Sequence, residues 1–212
     1  MIRNIIWDAD GTLFDTYPAI ASAFQAAMAD LGADAPLEWI MSLAKKSIGL
    51  CETSLAEHYQ VSEETIERNF VEHYDRIRPE DQPAFPGVAT ICEYICSIGG
   101  KNLIVTHRRK IGTVELLAAN RLSGWFAGTL TGDDGYPKKP DPAAFEAALR
   151  EYALERAETI AVGDRDIDVL AGQAAGLFTC LFGPFTNGCT ADLTISNFDE
   201  LYRYIQSANS VK

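Results

Sequence analysis

Two aspartates one residue apart, Asp8 and Asp10, follow the short apolar run Asn4-Ile5-Ile6-Trp7. Far along the chain, Asp164 and Asp168 stand just after a second such run, Thr159-Ile160-Ala161-Val162. Between these pairs lie Thr106, closing the run Leu103-Ile104-Val105, and the adjacent lysines Lys138 and Lys139. Four carboxylates gathered in one place repel one another unless a cation neutralises them. An acidic all-oxygen set selects a hard ion, most simply Mg2+, which is held by a few carboxylates together with water and substrate oxygens. A lysine beside that cluster, with the Thr106 hydroxyl, would give a phosphate-sized anion its donors on the side opposite the metal. One aspartate near the metal could then attack phosphorus and form an aspartyl-phosphate. A second, two residues away, could give a proton to the leaving oxygen and later take one from water. Phosphoryl transfer suits such a set because most of its catalysis is positioning and charge neutralisation.

The elements that must position these groups are short apolar runs ending in polar residues. The runs at 4–7, 103–105, 159–162 and 177–182 read as buried parallel strands, because a strand covered on both faces loses its period-two alternation. A weaker run spans 192–195, and the two lysines belong to a loop after a shorter strand. Amphipathic helices lie between: Asp141 before Pro142 predicts a cap and a first helical residue, with Phe145, Ala148, Leu149 and Tyr152 on one face. Asn197 and Glu200 predict a capping box for a last helix bearing Leu201, Tyr204 and Ile205. Alternating strands and helices from residue 87 onward predict an α/β fold with a doubly wound parallel sheet, whose ligands bind beyond the carboxyl ends of the strands. Residues 16–80 break this alternation. They carry helical faces at Ile20, Phe24, Ala27, Met28 and Leu31, at Trp39, Ile40 and Leu43, and at Ile66, Phe70, Tyr74 and Ile77, with no convincing strand. The expected organisation is therefore an α/β core of residues 1–15 and 81–212, with a small helical domain of residues 16–80 inserted after the first strand. Its connections fall near 14–18 and 78–87, where Pro79, Pro83, Pro86 and Gly87 punctuate the return.

Composition narrows the classes. The chain has 212 residues, with 18 Lys+Arg against 30 Asp+Glu and a formal net charge of −12, a poor basis for holding a phosphate backbone. Hydrophobic residues make up 47% and charged residues 23%, the balance of a globular domain with a core rather than a disordered chain. No apolar run approaches the length of a membrane span. The start has neither a signal-peptide apolar stretch nor a transit-peptide character. The cysteines are odd in number (Cys51, Cys92, Cys96, Cys180, Cys189) and form no CxxC pair, which reads as a reduced, cytoplasmic protein. Cys92 and Cys96, spaced four apart among Ile91, Ile95 and Ile98, are expected in the core.

The motifs also carry a resemblance. Asp8-Ala9-Asp10-Gly11-Thr12-Leu13, Val105-Thr106, Lys139-Pro140 and Gly163-Asp164-Arg165-Asp166-Ile167-Asp168 resemble, in order and strand-end placement, the four motifs of the haloacid dehalogenase-like (HAD) hydrolase superfamily. A helical cap inserted after the first motif is similar to residues 16–80, and the overall layout resembles the phosphoglycolate-phosphatase-like subgroup. The resemblance implies a Rossmann-like core and a Mg2+-dependent phosphatase acting on a small phosphorylated metabolite. Asp8 would be nucleophile and metal ligand. Asp10 would be general acid/base and lend its backbone carbonyl to the metal. Thr106 would hydrogen-bond the phosphoryl group, Lys139 would neutralise it and hold Asp8, and Asp164 would complete the metal site. Asp168 would support that site through water or outer contacts, and Gly11 and Thr12 complete the first motif. Members that displace halide lack the second aspartate, so Asp10 favours phosphate chemistry. The cap would close over the site and set specificity.

Plainer roles stand beside these. Lys138 remains an alternative to Lys139, which is chosen because the family places its lysine directly before proline. His107 replaces the family's frequent Asn, which puts any side-chain role there in doubt. His107, Arg108, Arg109 and Arg165 sit beside the motifs with a solvated loop as the default reading. Asp166 is expected to cap its helix rather than touch metal, and Trp39, Lys45 and Lys46 belong to the inserted helices. Two other functions share the residue set: a phosphomutase that returns the phosphoryl group to a second hydroxyl, and a non-catalytic phospho-ligand-binding protein. A monomer and a homodimer are both compatible with the sequence, and neither nucleic acid nor membrane is expected as a partner.

Overall fold

The structure is a computed structural model that describes residues 1–183 and 188–210. The chain forms two compact units, one of Met1–Phe14 with Ala84–Lys212 and one of Asp15–Pro83.

The first unit is built on six parallel strands: β1 (Asn4–Trp7), β2 (Asn102–Val105), β3 (Phe126–Leu130), β4 (Thr159–Gly163), β5 (Phe178–Phe182) and β6 (Leu193–Ile195). Their order across the sheet is β3-β2-β1-β4-β5-β6, and every neighbouring pair is parallel. The order reverses beside β1, which pairs with β2 through Ile6 and Leu103 and with β4 through Ile6 and Ala161. That reversal is where a doubly wound sheet leaves a crevice outside its strand ends. Successive side chains of the central strands alternate between two apolar layers. Ile5, Trp7, Ile104, Ile160 and Val162 belong to one; Ile6, Leu103, Val105 and Ala161 belong to the other. This is why the sequence shows unbroken apolar runs there. Trp7, wholly buried, donates its indole N–H to Asn102 Oδ1 at 3.1 Å, and Asn102 Nδ2 donates to the Cys92 carbonyl at 3.0 Å.

The second unit holds four helices, α1 (Tyr17–Asp30), α2 (Leu37–Ala44), α3 (Ile48–Tyr59) and α4 (Glu63–Tyr74). It has its own core, in which Phe24 of α1 stacks on Phe70 of α4 with ring centroids 4.0 Å apart. Helix α3 is not evident in the sequence pattern. Its buried residues are Cys51, Leu55 and Ala56, while Ile48 and Leu50 are exposed, so the apolar stripe is blurred. Its start is nonetheless capped, since Ser47 Oγ accepts from the Leu50 N–H. Helix α4 ends before Ile77, which packs from the following turn.

Five further helices flank the sheet: α5 (Val88–Ser97), α6 (Lys110–Ala119), α7 (Ala143–Glu151), α8 (Asp166–Ala174) and α9 (Phe198–Ser210). Residues of α5, α6 and α9 fill the first apolar layer, and residues of α7 and α8 fill the second. Helix α7 starts one residue later than its sequence suggests, with Pro142 rather than Asp141 at the cap position, although Asp141 Oδ1 accepts the Ala143 N–H at 2.9 Å from one residue further out. Glu200 donates its N–H to Asn197 Oδ1 and its carboxylate accepts from the Ser196 N–H, closing the start of α9. The connection at 14 and 84 is a short antiparallel bridge, with the Phe85 N–H donating to the Leu13 carbonyl. Cys92 is fully buried on α5, and Cys96 is half-buried, its Sγ accepting from Asn102 Nδ2. No helix among the described residues is long and apolar enough to cross a membrane.

Candidate active site

The ends of β1, β2 and β4, together with the loop that follows β3, supply the polar residues at the reversal of the sheet. Asp8 directly follows β1 and its N–H donates to the Val162 carbonyl at 2.8 Å, so its backbone is fixed by the sheet itself. The chain then turns sharply: the N–H groups of Leu13 and Phe14 both donate to the Ala9 carbonyl, and Gly11 adopts φ 77° at the apex. This turn brings Thr12 Oγ1 to Asp164 Oδ1 at 3.3 Å, linking the first motif to the fourth. Thr106, buried at the end of β2, is held by its N–H donating to the Leu130 carbonyl. Its hydroxyl oxygen accepts from the Arg108 N–H at 3.1 Å, which leaves the hydroxyl proton to donate elsewhere.

Lys139 lies in the loop after β3 and its ammonium is almost wholly buried. It donates to Asp8 Oδ1 at 2.5 Å, to Asp168 Oδ1 at 2.6 Å and to the Val105 carbonyl at 2.9 Å, so all three of its protons are used. Lys138 is exposed, whereas Lys139 is the lysine of the pair that meets Asp8 and Asp168. The Lys139 backbone N–H donates to His107 Nε2 at 2.8 Å, which makes that nitrogen the unprotonated one. Asp168 Oδ2 accepts from the Arg165 N–H at 3.2 Å, so both of its oxygens are committed.

Burial alone raises the carboxyl of Asp8, and with Asp168 nearby this outweighs the pull of Lys139 and leaves it near pH 6. Burial also raises Asp168, but Lys139 and Arg165 outweigh it and hold that carboxyl below its ordinary value. The two carboxylates overcome the desolvation of Lys139 and keep it charged. His107 is pushed down to about 4 by burial first, then by the cations Lys139 and Arg165. The imidazole is therefore neutral and serves as a hydrogen-bond acceptor.

Asp8, Asp164 and Asp168 are all buried, and each offers a carboxylate oxygen within 4.8 Å of the others. Asp8 Oδ2 is buried and meets no hydrogen-bond partner among the described residues. An unpartnered buried carboxylate oxygen facing other carboxylates fits a hard divalent cation, which accepts oxygen ligands alone. Sequence reasoning gave Asp168 a supporting role through water or outer contacts. The contact it makes is with Lys139, because α8 starts immediately behind the end of β4. Asp10 is outside this carboxylate group. Its side chain meets Arg108, with Nη2 2.5 Å from Oδ1. Sequence reasoning left Arg108 and His107 as loop residues, and only the course of the chain after β2 shows what they touch. Asp166 likewise is outside the group of three.

Acidic, lysine and hydroxyl groups at the switch point of a parallel sheet are the set that phosphoryl transfer uses. Residues 5–182 match the family model described as haloacid dehalogenase-like hydrolase. The chain belongs to that family of hydrolases. Among curated proteins it is 31% identical over 182 residues to a phosphoglycolate phosphatase of Nitrosospira multiformis, an alignment spanning 82% of this chain and 80% of the relative. Among solved structures it is similar to a hydrolase from Streptococcus pneumoniae TIGR4, at 26% identity and a TM-score of 0.69, covering 97% of this chain and 98% of the other. It also shares its fold with CbbY from Rhodobacter sphaeroides in complex with xylulose-(1,5)bisphosphate, at 23% identity and a TM-score of 0.75, covering 95% and 96% of the two chains.

Proposed function

We propose that this protein is a Mg2+-dependent phosphatase that hydrolyses a small phosphorylated metabolite through an aspartyl-phosphate on Asp8, in the manner of the phosphoglycolate phosphatases it resembles. The observation that carries this reading is Lys139 bound to both Asp8 and Asp168 while Asp8 Oδ2 stays buried without a partner. Mg2+ would be held by Asp8, Asp164 and the backbone carbonyl of Asp10, and when bound it supplies neutralising charge for the phosphoryl oxygens. Asp168 is assigned to Lys139 and to the support of the site, because its Oδ1 meets the ammonium directly and its Oδ2 takes the Arg165 N–H.

In the first step the Asp8 carboxylate attacks phosphorus, the bond from phosphorus to the leaving oxygen breaks, and the carboxyl proton of Asp10 passes to that oxygen. In the second step water attacks phosphorus, its proton goes to Asp10, and the bond between Asp8 and phosphorus breaks to release inorganic phosphate. Lys139 orients Asp8 and neutralises the transferring group, and the Thr106 hydroxyl donates to a phosphoryl oxygen. The helical unit Asp15–Pro83 contributes none of these residues, and we assign it the choice of substrate. Incubation with a panel of phosphate monoesters that includes 2-phosphoglycolate and sugar phosphates is expected to release inorganic phosphate only when Mg2+ is present. Isomer accumulation without phosphate release would establish the phosphomutase reading instead, and no turnover of any ester would overturn both.

A further inference from the structure

Asp10 is gripped by Arg108. Arg108 Nη2 lies 2.5 Å from Asp10 Oδ1, and Arg108 Nε lies 3.1 Å from Oδ1 and 3.3 Å from Oδ2. Two adjacent nitrogens of one planar guanidinium therefore grip one carboxylate, a fork geometry that fixes direction as well as distance. The arginine side chain is 11% exposed and that of the aspartate 23%, so neither swings freely in solvent.

The grip is anchored at its other end. The Arg108 N–H donates to Thr106 Oγ1 at 3.1 Å, and the Arg108 carbonyl accepts from the Gly132 N–H at 2.9 Å. Gly112, in the first turn of α6, leaves room for the side chain: a Cβ there would lie 3.3 Å from Arg108 Nη1. The end of β2, the turn after β3 and the start of α6 thus fix an arginine whose fork ends on Asp10. A forked, largely buried pair also adds to stability, so what singles this one out is the carboxylate on which it ends and not the existence of the pair.

The geometry points to Arg108 as a positioning residue for the proton transfer: it aims the Asp10 carboxyl at the leaving oxygen. This assignment rests on the phosphatase reading above. It carries a signature that a structural role lacks. A p-nitrophenolate departs without a proton, whereas an unsubstituted phenolate gains from one. Loss of the clamp must therefore cost more as the leaving group becomes more basic.

The test uses the full-length protein with Mg2+ and a series of substituted phenyl phosphates from p-nitrophenyl to p-methoxyphenyl. It compares kcat/KM, which reports the step that forms the aspartyl-phosphate, in the wild type, Arg108→Gln, Arg108→Lys, Asp10→Asn and the Asp10→Asn/Arg108→Gln double variant. Arg108→Gln is expected to lose about 10 to 100-fold more activity on phenyl phosphate than on p-nitrophenyl phosphate, part of the 10² to 10⁴ that general acid catalysis supplies. Arg108→Lys keeps the charge without the fork and should lose at least about 3-fold more on the phenyl ester, which decides the matter if the glutamine variant does not fold. In the double variant the glutamine should add no further dependence on the leaving group. A uniform loss across the series, or a gain in activity, overturns the assignment while leaving the phosphatase reading intact. A wild type inert on every ester removes both.

Discussion

At the scale of single residues, the site is a buried charge balance. Lys139 stands between Asp8 and Asp168 with nothing of its own charge left unpaired. Removing one partner of such a cluster costs more than forming it gains. The substitution Asp8→Asn keeps shape and an acceptor for the Lys139 ammonium, and Asp168 still pairs that charge. Turnover is therefore expected to fall by at least about 10⁴-fold while the urea unfolding midpoint stays near that of the wild type; phosphate release at wild-type rates would refute Asp8 as nucleophile. His107 gives a second prediction. Its folded value of about 4 lies below its ordinary 6.5, so folding favours the neutral ring. The resulting stability is present above pH 6.5 and is lost as the pH falls toward 4. His107→Asn, which can still accept from the Lys139 N–H, should show a flatter dependence of the urea midpoint on pH across that window. Parallel curves for the two proteins would mean that the ring is not held neutral.

At the scale of elements, the β4 to α8 connection is the most tightly constrained part of the site. A Cβ on Gly163 would lie 2.2 Å from Asp168 Cβ and 2.5 Å from its Cγ. The strand end and the first turn of the helix approach so closely that only glycine fits, and this approach puts Asp168 against Lys139. Gly163→Ala is expected to destabilise the protein by about 1–3 kcal/mol through overpacking and to reduce phosphate release by moving Asp168. Gly49→Ala is the control, because a Cβ at Gly49 meets nothing within 4 Å and alanine favours the helix it lies in. Equal effects of the two alanines in urea unfolding would contradict this account. The strand pattern itself was only partly readable. The central strands stood out since both their faces are covered. Strand β3 did not, because it is an edge strand with mixed burial and the residues Phe126, Ala127, Gly128 and Thr129 form no apolar run.

At the scale of the whole molecule, a chain of net charge −12 concentrates three buried carboxylates at one end of its sheet. A cation that binds only the folded state stabilises it by mass action, by about 2.7 kcal/mol at one hundred times its dissociation constant. Mg2+ is therefore expected to raise the thermal unfolding midpoint by several degrees, with EDTA reversing the rise and abolishing phosphate release. An unfolding midpoint indifferent to Mg2+ would count against a metal at Asp8 and Asp164. The helical unit has a separate core, centred on Phe24 and Phe70, and carries none of these carboxylates.

The sequence by itself determined the strand ends, since an apolar run that stops at Asp8, Thr106 or Asp164 is a local fact of residue order. It also determined the resemblance that orders the four motifs. Tertiary structure alone brought the Lys139 ammonium to Asp8 and Asp168, turned Asp10 toward Arg108 and set His107 behind Lys139. Each of those is a contact between segments separated by roughly thirty to well over a hundred residues. Sheet order fixes their distances, and periodicity along one segment carries no information about them.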